Sequence, residues 1–252
     1  MNFDDGGIIS IKSSLHTVNF NDFIKLAAKI HSDLGDEAWV KDIYTGLLDK
    51  CTSYSYYDEV TCAIAATLKD EAWIREIYTG IENKSPKNSD LIKLASIAVK
   101  KFNDKEWAST LLTKAEESSK TLFDFSCTAG AVFNWVGDKE WTARLYESAA
   151  SLCQSKRDYA QLISLVTNQT SDMTFLSNIV QSARKELTSF DDLLFLAEIS
   201  LLQLNDPDTA EKIYTEAEEK AQSNNMLSKL ATSLSNRMDD PKWSSRVLRK
   251  IK

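Results

Sequence analysis

"LGDEAWVKDIYTG" occupies residues 34–46, and "LKDEAWIREIYTG" occupies residues 68–80. The two stretches begin 34 residues apart and share most of their letters. Continuing from Asp36 and Asp70 in steps of 34 gives Asp104, Asp138, Asp172, Asp206 and Asp240, so all seven positions are aspartate. Three residues after them stand Trp39, Trp73, Trp107, Trp141, Phe175, Thr209 and Trp243. Seven after stand Ile43, Ile77, Leu111, Leu145, Ile179, Ile213 and Val247, and eight after stand Tyr44, Tyr78, Leu112, Tyr146, Val180, Tyr214 and Leu248. With Leu47, Ile81, four alanines and Ile251 at the eleventh position, these offsets share one face of an α-helix.

A second amphipathic helix precedes each aspartate. Leu26, Val60, Leu94, Thr128, Leu162, Leu196 and Leu230 lie ten residues upstream, and Phe23, Tyr57, Leu91, Phe125, Tyr159, Leu193 and Leu227 lie thirteen upstream. Each period therefore reads as helix A, a tight turn, then helix B. The aspartate stands where helix B begins. There a carboxylate accepts hydrogen bonds from free backbone N–H groups and faces the positive end of the helix dipole. Asp206-Pro207 and Asp240-Pro241 agree, because proline is favoured at the first helical position. Helix A is expected to start at Asn21, Ser55, Ser89, Asp191 and Asn225 in their periods. The units are then 21–54, 55–88, 89–122, 123–156, 157–190, 191–224 and 225–252. Residues 1–20 fall outside the register and are expected to form an irregular arm or a cap over the first helix.

Composition supports helices. The chain has 252 residues with only seven Gly and three Pro, too few turn formers for a β-sandwich or barrel. Hydrophobic residues at 43% and charged residues at 27% describe a folded, water-exposed protein rather than a disordered one. A net charge of −7 repels polyanions and argues against nucleic-acid binding. Only the final stretch, with Arg246, Arg249, Lys250 and Lys252, is locally basic, as the C-terminal end of a helix favours. No run of about 18 apolar residues exists to cross a membrane. "MNFDDGGIISIKSS" lacks the basic start of a signal peptide, so a cytoplasmic location is expected. Cys51, Cys62, Cys127 and Cys153 have no metal or redox spacing and read as reduced thiols.

No catalytic constellation is visible. The two histidines, His16 and His31, join no Ser-His-Asp, Cys-His or HExxH pattern, and no glycine-rich phosphate loop occurs. The seven aspartates sit a full repeat apart, about 8–10 Å or more, too far for paired acid–base work. The expectation is a non-enzyme with no cofactor and no metal. The repeated Trp is expected to be a buried wedge between adjacent helices. Trp135 lies outside the register, three residues before Asp138, and reads equally as core or as exposed surface.

A helix–turn–helix period of 34 residues is the length of the tetratricopeptide repeat. In "AGAVFNWVGDKEWTARLYESA" (129–149), Ala129-Gly130, Phe133, Gly137-Asp138, Thr142, Tyr146 and Ala149 resemble that family's series at its spacings. The resemblance runs from residue 21 to residue 252, through seven units. It departs in lacking the closing Pro, in showing the helix A Gly once, and in placing Trp before the small residue of helix B. "WTARLYESA" (141–149) also resembles the related half-a-TPR repeats of RNA-processing scaffolds, the alternative functional class. The resemblance implies an all-α fold, an α-solenoid with a right-handed superhelix of seven helix–turn–helix repeats. It also implies a non-catalytic scaffold that binds a protein in its concave groove.

In such a stack helix A lines the inner surface. Its inward positions are those eleven, seven and four before each aspartate. They are polar in the first unit (Lys25, Lys29, Ser32) and turn apolar at Leu165, Phe195, Ile199 and Leu202. Asn134, Asn168 and Asn236 share one of these positions and could pair with an extended peptide. "LLFLAEISLLQL" (193–204) is apolar nearly all round and suggests a hydrophobic groove. Val247 and Ile251 are expected to face outward beside it. Either another copy of the chain or a different protein would then cover that end, with the basic residues orienting an acidic partner.

Overall fold

The aspartates do cap helices. In the computed structural model, which describes residues 19–84 and 87–251, each of the seven is an N-cap. In six of them Oδ1 accepts the N–H three residues on, at 2.8–3.0 Å. In Asp172 it accepts the Thr174 N–H at 3.1 Å. Each bond satisfies a donor that the helix cannot.

The described residues form fourteen α-helices, one π turn and no strand. They belong to two compact units divided between Lys84 and Ser85. The first contains α1 (Phe20–Leu34), α2 (Glu37–Leu48), α3 (Tyr54–Thr67) and α4 (Glu71–Glu82). The second begins with α5 (Asn88–Phe102), α6 (Lys105–Ser118), α7 (Leu122–Ala131), whose end widens into the π turn Val132–Val136, and α8 (Lys139–Ser151). It continues with α9 (Lys156–Gln169), α10 (Met173–Glu186), α11 (Phe190–Leu202), α12 (Pro207–Lys220), α13 (Asn224–Asn236) and α14 (Pro241–Leu248). Odd-numbered helices match the expected helix A and even-numbered ones helix B. In the first unit α1 packs on α2 and α3, and α3 on α2 and α4. In the second each odd helix packs on the even helix that follows, with α5 on α7, α7 on α9, α8 on α10 and α11 on α13.

The starts of helix A differ from the expectation. The caps are Asn19, Ser53, Lys87, Thr121, Ser155, Ser189 and Ser223, two residues earlier and themselves 34 apart. Thr121 with Asp124 and Ser189 with Asp192 close full capping boxes, in which cap and third residue satisfy each other's backbone N–H. The expected N-terminal arm, 1–20, lies outside the described residues except for Asn19 and Phe20, which begin α1.

A further register position is invisible to hydrophobic patterning. The residue before the aspartate is left-handed in six periods: Gly35, Lys69, Asn103, Gly137, Asn205 and Asp239. It reverses the chain after helix A, and Gly or Asn does so at little steric cost. At Lys69, φ of 55° costs on the order of 1–2 kcal/mol.

The tryptophans are not the deep core. Trp39 is 38% exposed, and Trp73, Trp107 and Trp141 are half-buried; only Trp243, at 8%, is enclosed. Geometry explains it. At 100° per residue, offsets 4, 7, 8 and 11 centre on one line, and offset 3 lies about 90° to the side. The fourth residue after each aspartate (Val40, Ile74, Ala108, Thr142, Leu176, Ala210, Ser244) is buried in every period. The edge position gives the indole a second use. Trp141 Nε1 donates to Glu116 at 2.6 Å, and Trp243 Nε1 donates to Glu218 at 2.6 Å, tying α8 to α6 and α14 to α12. Arg144 and Arg246 reach the same carboxylates. Burial alone would raise the Glu218 pKa, but the Lys250 and Trp243 hydrogen bonds outweigh it and hold the pKa below its usual value.

The tyrosines eight after the aspartate are the large core residues; Tyr44, Tyr78 and Tyr214 are wholly enclosed. Each hydroxyl meets a polar group on an odd helix, Tyr44 with Thr67 at 2.9 Å and Tyr214 with Ser233 at 2.8 Å. Desolvation raises the pKa of both.

Two caps also bind across helices. Lys41 donates to Asp70 at 2.9 Å, and Lys139 donates to Asp172 at 2.7 Å. The Lys139 hydrogen bond, followed by those from Thr174, lowers the Asp172 pKa to about 2. A depressed carboxylate pKa contributes stability that is present above the unfolded value, about 3.9, and is lost as pH falls through the folded one. The stability gap between the parent and Asp172→Asn should therefore narrow as pH drops from about 4 to 2. Thermal melts across that window check it, and a constant gap would contradict the assignment.

Candidate binding clefts

The apolar character of α11 is resolved on its two flanks. Phe190, Leu193, Leu196 and Ala197 are buried in the core. Phe195 and Ile199, half-buried, face one side and line a cleft of about 290 Å³ against α9. Its other wall carries Ile163, Ser164, Thr167 and Asn168. On the opposite side, Leu194 and Glu198 line a larger cleft of about 910 Å³ against α13, where Lys229, Ser233, Asn236 and Arg237 form the facing wall. The two clefts repeat one geometry. Residues twelve and eight before an aspartate form the first wall, and residues eleven and seven before the next form the second.

The structure thus brings Asn168, Phe195 and Ile199 together in one cleft and puts Asn236 in its neighbour. The other expected site residues lie elsewhere. Leu165 is half-buried on α9, outside the cleft lining, and Leu202 is 56% exposed at the end of α11. Trp135 is half-buried in the π turn. Asn134 is committed to the fold, since its Nδ2 donates to the carbonyls of Gly130 at 2.7 Å and Gln169 at 3.1 Å.

The outward placement of Val247 is corrected. Val247 is 0% exposed and Ile251 is half-buried. The seventh position after the aspartate lies near the centre of the face that α14 packs on α13, so its own helix pair covers it. Leu248, one residue on, is the exposed one at 47%. The local cations are also in use, with Arg246 and Lys250 both bonded to Glu218.

Sequence reasoning missed Glu198 and Arg237, which wall the larger cleft. They stand one residue beside the expected inward rows. A cleft between two helices needs a wall from each, and a single-helix projection shows only one row at a time. Charge is nearly balanced there. Lys229 donates to Asp191 at 3.0 Å, and Glu198 accepts the Ser233 hydroxyl at 2.9 Å, while Ser233 also meets the buried Tyr214 hydroxyl.

Among the described residues no group of three His, Cys, Asp or Glu could hold a metal ion, and no helix is long and apolar enough to cross a membrane. No protein-family model and no curated protein matches the chain.

Proposed function

We propose that the chain is a non-catalytic interaction scaffold, a tetratricopeptide-like α-solenoid of seven helix–turn–helix units in a right-handed superhelix. Its odd-numbered helices present the binding surface to a segment of a partner protein. The observation that carries this reading is the pair of clefts flanking α11, built from equivalent positions of successive helix pairs. Repetition of one cleft along a row of helices suits a ligand that is itself a repeating chain. The acidic balance of the sequence keeps the RNA-scaffold alternative behind it. The test compares proteins captured by the full chain with those captured by the Phe195→Lys, Ile199→Lys double variant. Binders lost only with the variant, at unchanged helical circular dichroism, support the reading. Identical capture by both proteins removes the clefts from it.

A further inference from the structure

Resting on that reading, we infer that the two clefts flanking α11 take one extended peptide of a partner protein. Its bulky apolar side chain enters between Phe195 and Ile163, and its carboxylate side chain, about three residues away, meets Arg237.

The larger cleft sets the ligand class. At about 910 Å³ it has the size of a small-molecule site, but its walls are amide, hydroxyl and charged groups, with Leu194 the one large aliphatic side chain. Small-molecule pockets are mostly apolar. A peptide backbone suits these walls, because every residue offers one donor and one acceptor. Asn225 and Asn236 carry both functions in one side chain. A single-stranded nucleic acid would need aromatic faces for its bases, and no aromatic residue lines this cleft.

The charges set the side chain. Lys229 is paired with Asp191, and Glu198 accepts the Ser233 hydroxyl. The Arg237 side chain is exposed, lines the cleft, and makes no hydrogen bond or ion pair among the described residues; only its backbone N–H is engaged, by the Ser233 carbonyl. A guanidinium presents a fork of donors that fits a carboxylate in two bonds. The smaller cleft sets the anchor. Phe195, Ile199, Ile163 and Ala160 give about 290 Å³ an apolar floor, and Asn168 and Gln203 stand beside them. One helix, α11, separates the two clefts. Helices pack about 8–10 Å apart, and an extended chain advances about 3.3 Å per residue, so the two side chains fall about three residues apart.

The test is selection of a random dodecapeptide phage library on the full chain, followed by fluorescence anisotropy of a labelled synthetic copy of the winning peptide. Selected peptides should carry an aromatic or branched aliphatic residue two to four positions from Asp or Glu. Arg237→Glu, at an exposed position, should weaken binding by roughly tenfold. A second selection on that variant should replace the acidic residue by Lys or Arg, which a merely structural role for Arg237 would not produce. Phe195→Ser should weaken the same peptide, with helical content checked by circular dichroism. If peptides are selected but Arg237→Glu and Phe195→Ser leave them bound, the cleft assignment is overturned and the scaffold reading stands. If no peptide is enriched at all, both fall.

Discussion

Trp243→Ala is expected to destabilise the C-terminal unit by about 3–5 kcal/mol, the range for deleting an enclosed tryptophan. Trp39→Ala should cost the N-terminal unit less, about 2–3 kcal/mol, since more than a third of that residue stays in water. The same letter at the same register position carries different weights because its surroundings differ. Trp243 is 8% exposed, stands edge-on to Tyr214 at 6.3 Å between ring centres, and donates to Glu218. Truncation opens a void and deprives a carboxylate of its shortest hydrogen bond. Trp39 is 38% exposed, and among the described residues its ring has no aromatic contact and its indole N–H no hydrogen bond. Urea unfolding read by residue-resolved hydrogen exchange reports each unit separately. Equal losses at the two sites would refute the packing described.

Val247→Glu should be more damaging still. It would bury an unpaired carboxylate where the native side chain is 0% exposed, at a cost of several kcal/mol. The pair α13–α14 should lose its helical signal and its exchange protection. Leu248→Glu, at a position 47% exposed, should change stability by no more than about 0.5 kcal/mol. Sedimentation of both variants tells burial from association. A folded Val247→Glu protein with altered oligomeric state would restore the outward-facing reading that the structure corrects.

Local rules account for what was legible in the sequence. An Asp every 34 residues, followed by apolar residues at offsets 7, 8 and 11, specifies a helix start and its buried face through backbone hydrogen bonding and helical periodicity alone. Both act within one or two turns. The all-α class, the aspartate caps and the core tyrosines follow from them. The Ser and Thr caps of the odd helices and the left-handed residue before six of the seven aspartates obeyed equally local rules. They were overlooked because the apolar pattern starts two residues late and carries no backbone torsion.

Only the tertiary structure decided the rest. Whether an apolar side chain is covered depends on the neighbouring helix, which no single-helix projection contains. Thus Trp39 and Leu26 are exposed at positions where Trp243 and Leu94 are enclosed. Val247 is sealed by α13 rather than left at an open end. Asn134 is consumed by two carbonyls, whereas Asn168 and Asn236 at the same register position remain in clefts. Periodicity determined which face of each helix turns inward. The spacing between successive odd helices determined where that face closes and where it stays open, because a cleft belongs to two helices at once.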